Sequence, residues 1–112
     1  MPTSDWMFSL QEIEASLPAA DRAMRFSYAL RHGSMKVGLY APRAQDTQGP
    51  HAQDELYIVI RGSGEFVKNG QRRSFAAQDV LFVEAGAEHR FESFSDDFAS
   101  WVIFWGPSGG DA

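Results

Sequence analysis

Along residues 24–30 apolar and polar side chains alternate, which places Met24, Phe26, Tyr28 and Leu30 on one side of an extended chain. A turn at His32, Gly33 and Ser34 interrupts the alternation, and it resumes over 35–40 with Met35, Val37 and Leu39. Residues 41–50 read as a polar loop with two prolines. The run 56–60 is continuously aliphatic or aromatic, the pattern of a strand buried on both faces. Gly62, Ser63 and Gly64 turn or bulge it, residues 65–67 continue it, and Asn69-Gly70 is a strong two-residue hairpin signal. Further short strands are predicted over 73–75, 80–83, 89–93 and 100–105.

Only near the N-terminus is the period helical. Ser9-Leu10-Gln11-Glu12 fits a capping box, with Phe8 and Ile13 placed as its hydrophobic staple. The helix this predicts covers 10–16 and is closed by Pro18. Strands do not alternate with helices, which argues against α/β organisation and for an all-β jelly-roll sandwich or barrel. The expected domains are an N-terminal arm with the short helix over 1–23, one barrel over 24–106, and a flexible Gly-rich tail over 107–112.

Composition narrows the picture. With 112 residues, 44% hydrophobic and 13% aromatic, the chain has apolar material for one core and too little length for two domains. The formal charge of -5 and the confinement of Lys68, Arg72 and Arg73 to a hairpin argue against a nucleic-acid partner. The absence of cysteine excludes disulfides, thiolate nucleophiles and Cys-ligated zinc. Residues 1–10 lack a basic, then apolar, leader pattern, and no stretch approaches the roughly 20 apolar residues of a membrane span. A cytoplasmic protein without a membrane partner is expected.

The candidate chemistry rests on few residues. Of three histidines, His32 sits in a turn, His51 ends the proline-containing loop, and His89 opens a strand after Gly86. His51 and Glu55 are four residues apart, so in an extended segment they share a face. Two imidazoles and a carboxylate facing one cavity are the donor set of an open site for a divalent metal. Asp54 has the opposite parity and is expected to face solvent, and Phe82, Phe91, Phe94 and Phe98 are expected in the core.

The segment 49–62 resembles the first conserved motif of the cupin family, in which paired histidines precede a glutamate and a glycine. Glu55 and Gly62 keep the motif's spacing and His51 takes its second histidine position, while Gly49 stands where the first histidine belongs. Residues 78–93 are similar to the second motif: Gly86 and His89 match it, whereas Gln78, Glu84 and Ser93 replace its first glycine, its proline and its asparagine. The resemblance implies a small cupin barrel with one divalent ion (Fe, Mn, Ni, Co or Zn) held by His51, Glu55 and His89. One family ligand is then missing. Gln53, on the parity of His51, together with Gln48 and Tyr57, are candidates for a further ligand or for the pocket wall. The resemblance also implies a small-molecule ligand or substrate and a homodimer, with strand 100–105 as an interface. It leaves two functions open: a dioxygenase-, isomerase- or lyase-like metalloenzyme, or a non-catalytic binding module.

Overall fold

The computed structural model describes residues 6–19, 24–46 and 48–111. The end of the expected arm, residues 20–23, lies outside them, as does Ala112. Helix α1 (Leu10–Glu14) is followed by β1 (Phe26–His32), β2 (Met35–Tyr40), β3 (Asp54–Arg61), β4 (Ser63–Lys68), β5 (Gln71–Ala76), β6 (Val80–Val83), β7 (His89–Glu92) and β8 (Ala99–Trp105). All pairings are antiparallel, in a five-stranded sheet of order β1-β2-β8-β3-β6 and a three-stranded sheet of order β5-β4-β7. The protein is therefore the expected all-β double-layered barrel with a short N-terminal helix.

The space between the sheets is filled by alternate residues from both. Tyr40, Tyr57, Val59, Val83, Val102 and Phe104 point in from the larger sheet, and Phe66, Phe75 and Phe91 from the smaller. Phe98, fully buried in the loop before β8, closes one end. The outer face of the larger sheet carries a second cluster, in which Ile13 of α1 packs with Leu39 and Ala99 and half-buried Ile60 and Trp101 lie against them. That second layer explains why 56–60 is apolar without alternation: Tyr57 and Val59 face the barrel, and Ile60 faces the helix.

The helix is shorter than the predicted 10–16, but its start is as read. Ser9 is the N-cap, its hydroxyl oxygen accepting from the Glu12 amide at 3.1 Å. Arg61 at the end of β3 donates through both terminal nitrogens to the two oxygens of Glu14, at 2.9 and 3.0 Å, tying α1 to the sheet. Both side chains are a third exposed, so the pair contributes about 1 kcal/mol or less.

Gly62 shows why a motif glycine is needed there: its φ is +89°, and a Cβ would fall 2.6 Å from the Phe98 Cα. Gly38 solves a different problem. A side chain on it would collide with the tip of the Phe26 ring, which crosses β2 at that point.

Several expectations are corrected. Asp54 is buried, at 7% exposure, because its carboxylate accepts from the Ala85 amide at 2.9 Å and the Asp111 amide at 3.1 Å. The C-terminal segment is not a free tail: Gly109 donates to the Ala52 carbonyl at 2.7 Å, and backbone bonds there compensate for missing side chains. Phe82 is half exposed on edge strand β6, against Trp105, because its parity puts it on the outer face. β8 lies in the middle of its sheet with Trp101 partly covered by the helix cluster, so a contact through it would use the outer face and not an edge. No helix among the described residues is long and apolar enough to cross a membrane.

Candidate metal centre

Two chain segments distant in sequence meet at one end of the barrel. His51 lies in the loop entering β3, Glu55 is the second residue of β3, and His89 is the first of β7 in the opposite sheet. Backbone bonds fix the approach: Gly86, in the loop leading to His89, donates to the His51 carbonyl at 2.8 Å. Asp54 clamps the same loop through Ala85, so the residue beside Glu55 holds the His89 segment from behind.

One donor atom from each of His51, Glu55 and His89 lies within 4.8 Å of the others. His89 Nε2 is 3.1 Å and His51 Nε2 3.8 Å from Glu55 Oε1. The side chains of Glu55 and His89 are almost wholly buried, while His51 is partly open to solvent.

His89 Nδ1 lies 2.9 Å from the Ala87 carbonyl oxygen, which can only accept. Nδ1 therefore carries a proton, and in the neutral ring Nε2 presents its lone pair. Although Nε2 is close to Glu55 Oε1, the two are not aligned as a hydrogen bond, and both atoms are buried without a partner. Orphaned buried polar atoms are costly. A divalent cation would satisfy both at once, and the donor set suits one.

The ionisation states follow from position. Burial pushes the His51 imidazole down, and His89 adds to this while Glu55 opposes it, so His51 favours the neutral, ligating form. Burial acts in the same sense on His89, but the Glu55 carboxylate and the Ala87 carbonyl outweigh it, and its pKa is raised. Burial, reinforced by the charge of Glu55, pushes the Tyr57 phenol well up.

The other candidates separate clearly. Gln53 lies on the cavity lining, as a pocket residue, but its amide nitrogen is taken up by the rim, donating to the Ser34 carbonyl at 2.8 Å and the Gly106 carbonyl at 3.0 Å. Gln48 is turned in, its Oε1 3.0 Å from the Tyr57 hydroxyl and 3.3 Å from His51 Nε2. Sequence reasoning missed Asp46, the hub beneath Gln48. Its carboxylate accepts from the Gln48 amide at 3.1 Å and side chain at 3.0 Å, the Tyr40 hydroxyl at 2.5 Å and the Phe91 amide at 2.8 Å. The only trace in the sequence is an aspartate two residues before the amide it caps, an Asx-turn pattern in a polar loop.

A cavity of about 320 Å³ opens onto His51, Glu55 and Gln48. Its walls are mainly apolar, with Phe26, Val102 and Phe104, and Lys36 stands on the same lining with its ammonium 5.4 Å from the Phe104 ring centre. A larger cleft, about 610 Å³, runs past Phe66, Lys68, Arg73 and Val80 and is lined by none of the three donors.

An antiparallel double-layered barrel with two histidines and a glutamate converging at one end defines a cupin-type domain. The sequence model of the cupin domain matches residues 37–105, and the chain belongs to that family. It is 39% identical to an uncharacterized protein of Streptomyces coelicolor over 102 residues, 89% of this chain and 95% of that one. Among solved structures it is similar to a cupin 2 conserved barrel domain protein from Salinispora arenicola (23% identity, TM-score 0.68, 89% and 87% of the two chains covered). It is also similar to a Klebsiella pneumoniae protein with a double-stranded β-helix domain (17% identity, TM-score 0.75, 95% and 92% covered).

Proposed function

We propose that this cupin is a metal-dependent enzyme acting on a small organic acid. The observation that carries the reading is the apolar cavity that opens onto His51 and Glu55, two of the three clustered donors. His51, Glu55 and His89 would hold the ion, which when bound supplies Lewis acidity and, if it is iron, redox capacity. The chain's own residues do the rest. Phe26, Val102 and Phe104 exclude water and favour an apolar body. Lys36 is the Lys or Arg side chain on this lining, so a carboxylate or enolate is the matching head group. Such a substrate fits dioxygenase-, isomerase- or lyase-like chemistry.

A second reading, a non-catalytic binding module, draws on the tyrosines. Tyr40 and Tyr57 both donate to fixed acceptors, and burial pushes both phenols far above neutrality, so neither serves as a proton shuttle.

Elemental analysis of the purified protein beside Glu55→Ala is the first test. About one equivalent of a transition metal, lost in the variant, is expected. No metal in either protein after anaerobic reconstitution overturns the proposal. In the loaded protein, a panel of small chelating acids is then followed by melting temperature and by product formation. Stabilisation with turnover supports the enzyme, and stabilisation without turnover supports the binding module.

A further inference from the structure

The family pattern calls for a donor at position 49, and the glycine there has none to give. The neighbouring residue has one in place. Gln48 Oε1 sits 3.3 Å from His51 Nε2, on the lining of the cavity that opens onto His51 and Glu55. Adjacent donors around an octahedral ion, bound at about 2.1 Å, are roughly 3 Å apart. The Gln48–His51 and Glu55–His89 separations, 3.3 and 3.1 Å, are close to that spacing, and the His51–Glu55 separation, 3.8 Å, is wider.

A glutamine is an ambiguous donor until its amide orientation is known, because either end can face a site. Here the surroundings fix it. Gln48 Nε2 faces Asp46 Oδ2, a carboxylate oxygen that accepts a hydrogen bond from it. The opposite end accepts from the hydroxyl of fully buried Tyr57 at 3.0 Å. A flipped amide would set its NH2 against a hydroxyl already aimed at it and its carbonyl against a carboxylate. The acceptor end is therefore held toward the centre. Asp46 is itself immobilised by Tyr40 and the Phe91 amide, so the orientation is anchored in the barrel core.

We infer that Gln48 is the fourth protein ligand of the metal centre, donating its amide oxygen where the family motif uses a histidine, with Asp46 and Tyr57 as its positioning residues. The inference rests on the metal-site reading above. It makes the donor set two imidazoles, one carboxylate and one amide oxygen, a harder set than three imidazoles and a carboxylate. A hard oxygen favours Mn2+ more than Zn2+, which is content with fewer, nitrogen-rich ligands.

The test is competition titration of the metal-free protein with Mn2+ and with Zn2+, for wild type, Gln48→Leu, Gln48→Glu and Glu55→Ala. Gln48→Leu should lower Mn2+ affinity about tenfold to a hundredfold and Zn2+ affinity by clearly less, while Gln48→Glu retains Mn2+ binding. A shift in the Mn2+/Zn2+ ratio separates a ligand from a residue that merely supports the loop, since a structural lesion weakens both ions alike. Metal-free Gln48→Leu should melt cooperatively, as a check that the barrel persists. Wild-type affinity for both ions in Gln48→Leu, or an equal loss of both, overturns the assignment while leaving the three-residue site intact. A wild type that binds neither ion, like Glu55→Ala, removes the site and the assignment with it.

Discussion

The two ends of this barrel are built by the same strands and face opposite problems. At the closed end, Phe66, Phe75, Phe91 and Phe98 fill the space with rings 4.7 to 5.4 Å apart, a packed aromatic core in which every inward position meets a partner. At the other end the same inward parity presents Glu55 and His89, whose buried donor atoms meet none. Moving along β3 from Val59 to Tyr57 to Glu55 passes from one regime to the other, with the Tyr57 ring in the core and its hydroxyl on Gln48. Stability is concentrated at one end and binding capacity at the other.

Substitutions can break this contrast. Phe91→Ala empties the centre of the aromatic end and should cost about 3–5 kcal/mol, lowering the melting temperature by more than about 10 °C in calorimetry.

A smaller effect comes from pH, acting only at the donor end. His89 must lose its Nε2 proton to ligate, and its pKa in the metal-free protein lies above the ordinary 6.5. Metal affinity should therefore be level above that raised pKa and fall about tenfold for each pH unit below it. His51, whose pKa is lowered, is already neutral in this range and should leave the single-proton slope unchanged. Metal titrations at a series of pH values test this; an affinity flat down to pH 6 would contradict it.

The smallest effect expected is Glu55→Gln on the metal-free fold. It puts an amide of the same size in place of the carboxylate, so unfolding in urea at a pH above the raised His89 pKa, where the imidazole is neutral, should change by less than about 1 kcal/mol. A loss as large as that of Phe91→Ala would show that the ends are not functionally divided.

Much of the fold was legible because strand parity and turn chemistry agree. β2 and β6 have the predicted bounds, and the others differ by one or two residues at an end, with β1 displaced by two. The pattern failed where a backbone partner overrode parity. Asp54 is held in by the Ala85 and Asp111 amides, which no periodicity in the strand announces. The departures from the second motif are also intelligible only in three dimensions. Gln78 and Ser93 both adopt positive φ, 78° and 50°, where the family's glycine and asparagine are the easier residues. At the site, His51, Glu55 and His89 could be named from spacing because each is tied to a glycine or strand start of fixed geometry. Choosing between Gln48 and Gln53 could not, since it depends on which carbonyls and carboxylates capture each amide. Asp46 was invisible for the same reason: it bonds to residues from three separate parts of the chain.

Gly38 bears on how the cavity is shaped. The Phe26 ring reaches the cavity wall only by lying across the bare backbone at that position. One added methyl group there would meet the ring tip at 2.4 Å and the Ser27 carbonyl oxygen of β1 at 2.9 Å, so both the ring and the β1–β2 pairing would have to shift and the chamber would be reshaped. The shape of the chamber thus depends on a single backbone position remote from His51, Glu55 and His89.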